Sequence, residues 1–566
     1  MARLLTVLGF ILTVLGCADE GPASVESAIS TPTPSFADLE RHIEILASDE
    51  FEGRRPGSPG EEKTVNYIRE QFLRSGLKPG NGDSYFQTVP LRALTADPSA
   101  LVSVEGDDYA RDLRYGSEMM VWTKRALAQV SVSDSQLVFV GYGVVAPEYG
   151  WNDYEDLDVA GKTVLMLVND PGYASQDEQL FNGNAMTYYG RWTYKYEEAA
   201  RQGAAAAIIV HETDAAGYGW EVVSGSWSGA QFDLMTADDN TAAVGVEGWI
   251  TKDVAEQLFK AAGSDYEELK QKALRRDFKA IALSLKMTVR LRNSISRTNS
   301  RNVIGLLPGS VRANEYIIYM AHWDHLGRDE NLSGDQIYNG AVDNASGTAG
   351  LIALAEAFAA RGKQLQRSIL FIAVTAEESG LLGSKHYGTH PIYPLKDTVA
   401  AINMDGLNVM GAMADVVVIG YGSSELERYL AAAADGQHRY VAREPSPEKG
   451  YFYRSDHFNL AKLGVPVLYA KSGVNSVDYG RDWGLAQQDD YVANRYHKPG
   501  DEYDSGWDMA GARQDLQLYY EVGQRIATEE SFPNWYPGSE FRAIRDRSRT
   551  NLKIPVTNQE DNRLMP

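Results

Sequence analysis

Cysteine is almost missing from this chain: among 566 residues only Cys17 is a cysteine. No disulfide can form within the chain, and a metal site, if there is one, must be built from nitrogen and oxygen donors. Basic residues are also short in supply, with 54 Lys and Arg against 77 Asp and Glu. The resulting net charge of −23 repels phosphate backbones and argues against a nucleic-acid partner. The amino-terminal apolar run from Leu4 to Leu15 is too short to span a bilayer. No repeat of fixed period is evident. What remains is the balance of a globular protein, 44% hydrophobic and 23% charged. A chain this long exceeds one ordinary core, so at least two domains are expected.

Arg3 followed by the short apolar run reads as a signal peptide. It ends in Val14-Leu15-Gly16-Cys17, which resembles the bacterial lipobox with Val in place of the usual first Leu. That resemblance implies acylation of Cys17, its only membrane contact being the lipid anchor. Residues 1–17 are therefore expected to be a lipoprotein signal peptide and 18–35 a flexible tether, rich in Ser, Thr and Pro from Ala23 to Ser35. The expected location is the bacterial cell envelope, as an exported periplasmic or outer-membrane lipoprotein.

Helical spacing follows in Leu39, Ile43, Leu46 and in Val65, Ile68, Phe72, with Gly76 placed as a stop. Between the two lies a loop by composition, Phe51-Glu52-Gly53-Arg54-Arg55-Pro56-Gly57-Ser58. Residues 91–293 turn β-rich, as in Leu137-Val138-Phe139-Val140 and Thr163-Val164-Leu165-Met166-Leu167-Val168. From Arg301 strands alternate with helices, which predicts an α/β fold with a mostly parallel, mixed sheet and helices on both faces. Three apolar strands end at polar residues: Tyr316 to Ala321 at His322, Ile369 to Val374 just before Glu377-Glu378, and Val399 to Met404 at Asp405. Ligands bind outside the carboxyl ends of such strands, so these residues are expected to share one crevice.

His322, Asp324, Asp343, Glu377, Glu378, Asp405 and His497 supply the imidazoles and carboxylates that suit zinc at a hydrolytic site. Taken singly, Asp343 reads as a helix N-cap, Glu377-Glu378 as a solvated turn and His497 as a surface histidine. Strand-end placement favours the metal reading.

At these positions the chain resembles the M28 family of zinc peptidases. The resemblance rests on His322-Trp323-Asp324-His325-Leu326-Gly327, Tyr338 to Gly347, Thr375 to Ser384, Asn403-Met404-Asp405, Ser455-Asp456-His457-Phe458 and Tyr496 to Asp501. It extends to Phe51-Glu52-Gly53-Arg54, Gly57-Ser58 and Tyr85-Phe86-Gln87, over roughly residues 36–540. It implies an aminopeptidase acting on peptide substrates with two zinc ions, for which cobalt or manganese can substitute. Asp343 would bridge them, His322 and Asp405 holding one and Glu378 and His497 the other. Glu377 is implied as general base, and Asp324 as the partner that orients His322. Val342 stands where the family often has a second acidic residue. Tyr453 and His457 lie in a segment that lines the site in the family and are implied as substrate or oxyanion contacts. His325, His386 and His390 carry no such support.

The middle block resembles the inserted protease-associated (PA) domain of some members, through Val140 to Pro147, Asp158 to Lys162 and Gly203 to Ala206. The expected division is thus 36–90 and 294–540 as catalytic domain, 91–293 as insert and 541–566 as a carboxyl-terminal tail. The same scaffold also serves glutaminyl cyclases and glutamate carboxypeptidases, and a non-catalytic, receptor-like relative is a further alternative.

Overall fold

The computed structural model describes residues 34–361 and 365–550. The segment read as a signal peptide with Cys17, nearly all of the expected tether and residues 551–566 lie outside the described residues.

The central strands carry unbroken apolar runs, Ile317 to Ala321, Ile369 to Val374 and Val399 to Ile402, because both faces of their sheet are covered. Arg312–His322 pairs in parallel with Arg367–Val374 on one side and Thr398–Asn403 on the other, and Val467–Ser472 extends the parallel set beyond Thr398–Asn403. Along Arg312–His322, Ile317, Tyr319 and Ala321 join one core while Ile318 and Met320 join the core on the opposite face. Ile369, Phe371 and Ala373 divide in the same way from Leu370, Ile372 and Val374. All eleven are fully buried, and each large side chain among them contributes about 1.5–3 kcal/mol by leaving water.

Helices Leu39–Leu46, Pro59–Arg74, Gly347–Ala360 and Ala510–Thr528 cover one face. The first two form where the apolar spacing predicts them. Leu39, Ile43 and Leu46 are buried on one stripe, and Pro59–Arg74 opens with Ser58 capping Glu61 N and a proline at its first position. The opposite face carries the shorter Leu382–Thr389 and His457–Ala461.

Antiparallel strands complete the sheet on its other edge. The 27-residue strand Ile281–Leu307 pairs with Arg367–Val374 through Val303 to Leu307, and with Phe86–Ala96 through Asn293 to Val303. Its earlier half belongs to a second sheet, pairing with Leu101–Gly106 and Gln129–Phe139. That sheet continues through Thr163–Leu167, Ala206–His211, Val246–Thr251 and Met119–Trp122, with an apolar cluster on each face. The positions 90/91 and 293/294 therefore coincide with no break between elements, since both fall inside strands that pair with each other. Burial alternates across 293/294, and at 90/91 Leu91 to Leu94 are buried at every position. Residues 230–234 also pair with Phe86–Ala96, on the main sheet.

Within the segment read as a tail, Arg542–Thr550 forms a helix whose buried Arg545 donates to the Thr398 carbonyl at 2.8 Å. No helix among the described residues is long and apolar enough to cross a membrane.

Candidate metal centre

Because Arg312–His322 lies between Arg367–Val374 and Thr398–Asn403, its last residue, His322, sits between the segments carrying Glu377-Glu378 and Asp405. Asp343 comes from the turn that enters Gly347–Ala360, and His497 from the loop after helix Arg481–Asn494. The five expected ligands converge. His322 Nε2 lies 3.3 Å from Asp343 Oδ1 and 3.5 Å from Asp405 Oδ1. His497 Nε2 lies 3.2 Å from Asp343 Oδ2 and 3.1 Å from Glu378 Oε2. Asp343 thus turns one carboxylate oxygen to each imidazole. Two groups of donor atoms close enough to share an ion stand out, His322 with Asp343 and Glu378, and His322 with Glu377 and Asp405.

The donor chemistry fits metal cations. Asp324, Asp343 and Asp456 are buried, and Glu377, Glu378 and Asp405 are half-buried beside them. Six carboxyl groups at such depth repel one another and lose hydration unless cations offset them. Burial pushes the Asp324 and Asp456 carboxyls up to about 7. Burial acts on Glu378 in the same direction, but the imidazoles of His497 and His325 outweigh it and hold this carboxyl at about 2.

Backbone contacts hold the ligands in place. Asn344 donates to the carbonyls of His322 and Met404 at 3.3 and 3.1 Å, and its Oδ1 accepts Gly406 N at 2.9 Å. One side chain therefore ties together the segments that carry His322, Asp343 and Asp405. Thr348 donates to the His322 carbonyl at 2.7 Å. Ala376 and His497, at φ 52° and 55°, occupy the left-handed region that side chains disfavour. Such strain at the residue before Glu377 and at a ligand persists only where the surroundings over-determine it.

Two expectations need correction. The Asp324 carboxylate is 3.9 Å from His322 Nδ1, too far for a hydrogen bond, and that nitrogen lies instead 3.2 Å from the Asp324 main-chain carbonyl. The carboxylate accepts the Glu377 N–H at 3.1 Å, because it projects toward the parallel strand's end. Asp324 therefore positions Glu377 more directly than His322. Tyr453 is turned away from the cluster: its hydroxyl donates to Glu540 at 3.3 Å and its ring packs on Phe452 and Phe458. His457 is closer but indirect. It is fully buried, burial holds it neutral by lowering its pKa to about 3, and it packs on Tyr469, whose hydroxyl donates to Asp405 Oδ2 at 3.4 Å.

Three contributors escaped the sequence reading. His325 Nδ1 lies 2.6 Å from Glu378 Oε1, while His497 faces the other oxygen, Oε2. Its place three residues after His322 was the available signal. Asp501, four residues after His497, accepts the backbone N–H groups of Val342 and Asp343, both at 3.1 Å. The Tyr496 ring stacks on His497 at 4.0 Å between centroids.

Comparison with known proteins agrees with this geometry. Residues 302–520, which hold every one of these ligands, match peptidase family M28. The chain is 26% identical over 232 residues to Aminopeptidase YwaD of Bacillus subtilis (strain 168), covering 40% of this chain and 44% of that protein. It is 33% identical over 235 residues to Aminopeptidase NAALADL1 of Rattus norvegicus, covering 38% and 29%. The chain thus spans less than half the length of these curated relatives. Among solved structures, the aminopeptidase from Aneurinibacillus sp. strain AM-1 aligns over 88% of this chain and 96% of its own, at 22% identity and a TM-score of 0.48. Residues 302–520, which carry the expected ligands on three adjacent strand ends and two flanking turns, match peptidase family M28.

Proposed function

We propose that this protein is a metal-dependent aminopeptidase that hydrolyses amino-terminal residues from peptides at two zinc ions. The observation that carries the reading is the division of the Asp343 carboxylate between the His322 and His497 imidazoles. His322 and Asp405 would hold one ion, His497 and Glu378 the other, and Asp343 would touch both. When bound, such ions lower the pKa of a water between them and polarise a scissile carbonyl. Glu377 takes the proton of the attacking water and returns it to the leaving amine. Asp324 keeps Glu377 aimed through its main-chain N–H. The two relatives, both named aminopeptidases, support the choice of the amino end.

The middle block supports a role as a wall of the substrate cleft. Glu197, from the helix Trp192–Arg201, pairs with Lys462 at 2.9 Å, just beyond His457–Ala461. The Tyr188 ring lies 5.1 Å from Phe458. The lipobox-like Val14-Leu15-Gly16-Cys17 supports export and anchoring in the cell envelope.

A panel of neutral aminoacyl p-nitroanilides, assayed beside amino-blocked peptides before and after chelation, tests the reading. The expected result is chelator-sensitive cleavage of the free-amine reporters alone. Cleavage of amino-blocked peptides from their carboxyl end, or cyclisation of amino-terminal glutamine without hydrolysis, overturns it in favour of the carboxypeptidase or cyclase.

A further inference from the structure

Arg191 and Arg454 are unusual among the cations of this molecule. Arg191 stands at the start of Trp192–Arg201 in the middle block and is only 8% exposed. Arg454 is half-buried and directly precedes Ser455-Asp456-His457 in the M28 region. Arg191 Nε and Arg454 Nε and Nη2 are buried and have no hydrogen-bond partner. Among the described residues neither side chain forms an ion pair; their neighbours are aromatic faces. The Arg454 guanidinium lies 5.9 Å from the ring of Tyr218 and 5.3 Å from that of Tyr451, and Arg191 lies 5.6 Å from that of Trp192. The segments that carry them pack together, with the Tyr188 and Tyr453 ring centroids 6.3 Å apart, and burial, then repulsion from Arg454, lowers the pKa of Arg191 to about 9. Glu444, whose carboxyl burial raises to about 7, accepts the Gly420 N–H at 3.4 Å and forms no ion pair with Arg454.

Guanidinium N–H groups buried in this way without a hydrogen-bonded anion are costly, because they have lost hydration and made no bond to a counter-charge. An Arg fork is built to grip a carboxylate with two parallel N–H donors. Arg454 is also tied to the metal centre. The next residue, Ser455, accepts a hydrogen bond from Asn403 at 2.7 Å, and Asn403 lies two residues before Asp405. The walls come from both blocks, since Arg191 and Tyr218 belong to the middle block and Arg454 and Tyr451 to the M28 region.

Resting on the aminopeptidase reading, we propose that Arg191 and Arg454 form a subsite that grips a carboxylate of the peptide substrate beyond the scissile bond. The enzyme then prefers peptides whose second or third residue brings a carboxylate there, as a free carboxyl terminus or an acidic side chain.

The test compares kcat/KM of the wild type for Leu-Gly-Gly against its carboxyl-terminal amide, and for Leu-Glu-amide against Leu-Gln-amide. Loss of charge-assisted hydrogen bonds predicts a preference of roughly 10–100-fold for the carboxylate member of one pair, carried mainly by KM. That pair identifies the source of the carboxylate. In Arg191→Met and Arg454→Met the preference collapses toward one. With no anion bound, both variants are expected to unfold at a higher temperature than the wild type, because they remove unpaired buried charge. Neutral Leu-p-nitroanilide separates the two readings. If the wild type leaves it uncleaved, the aminopeptidase reading fails, and the subsite is then tested by the thermal shift that N-acetyl-glycylglycine gives the wild type but not Arg454→Met. Equal kcat/KM within both pairs, together with no carboxylate-dependent thermal shift, overturns the subsite.

Discussion

Asp501 fixes Asp343 from behind: its two carboxylate oxygens accept the N–H groups of Val342 and Asp343, each at 3.1 Å. The loop that carries His497 is therefore hydrogen-bonded to the turn that carries the carboxylate His497 faces. Asn at position 501 keeps one acceptor and turns an amide donor toward the other N–H. Leaving one buried backbone donor unpaired costs about 1–3 kcal/mol. Asp501→Asn is expected to lower both the thermal midpoint and the metal retained after dialysis. Unchanged metal content would show that the turn needs no such clamp.

The two carboxylates around His322 predict different losses. Asp343 alone faces both imidazoles, so Asp343→Ala should leave well under two equivalents of metal per chain. Asp324→Ala removes a hydrogen bond to Glu377 N, and supporting groups of this kind typically contribute about 10–100-fold to affinity or activity. Its deficit should appear mainly in kcat, with metal close to the wild-type level. Retention of two tightly bound metals by Asp343→Ala would move the bridging role elsewhere.

Glu377→Gln keeps the shape of the side chain and removes its ability to accept a proton. Metal content should remain near the wild-type value while kcat falls by about 10²–10⁴-fold, the usual range for a general base. A kcat near wild type would take Glu377 out of the mechanism.

Much of this was legible because the chemistry sits at the ends of strong signals. The runs Tyr316 to Ala321 and Ile369 to Val374 are apolar at every position, and only a strand buried on both faces accounts for that in so few residues. The polar residue that stops each run is then placed by topology alone. Contacts across the chain left no such trace. Ile281–Leu307 is interrupted by Arg290, Asn293, Arg297 and Asn299, and its length emerges only from partners such as Val102 and Thr95 in two different sheets. The Asp324 carboxylate was assigned to its neighbour in sequence, His322, but strand pairing brought Glu377 N closer. Tyr453 shares a short segment with His457, yet the 3-10 turn Tyr451–Tyr453 directs its hydroxyl to Glu540, 87 residues away.

Arg54 shows how the amino-terminal segment supports the centre without touching it. Its guanidinium is buried and donates to four main-chain carbonyls: Trp323 at 2.9 Å, Leu46 at 2.7 Å, Asn339 at 2.6 Å and Gly340 at 2.9 Å. Two of these acceptors precede the Asp343 turn and one follows His322 directly. Gly53 makes the approach feasible, since at φ 62° an added Cβ would lie 2.5 Å from the carbonyl oxygens of Gly327 and Tyr338. Arg54→Met fills much of the same volume and leaves four carbonyls without their donor. Removing one partner of a buried charged network typically costs about 3–5 kcal/mol, so a drop of several degrees in the thermal midpoint is expected. Arg54→Lys keeps the charge but cannot reproduce a planar fork that serves four acceptors, and should recover only part of the loss. If Arg54→Met melted at the wild-type temperature with full metal content, the amino-terminal segment would be packing alone and the link to His322 and Asp343 would fall.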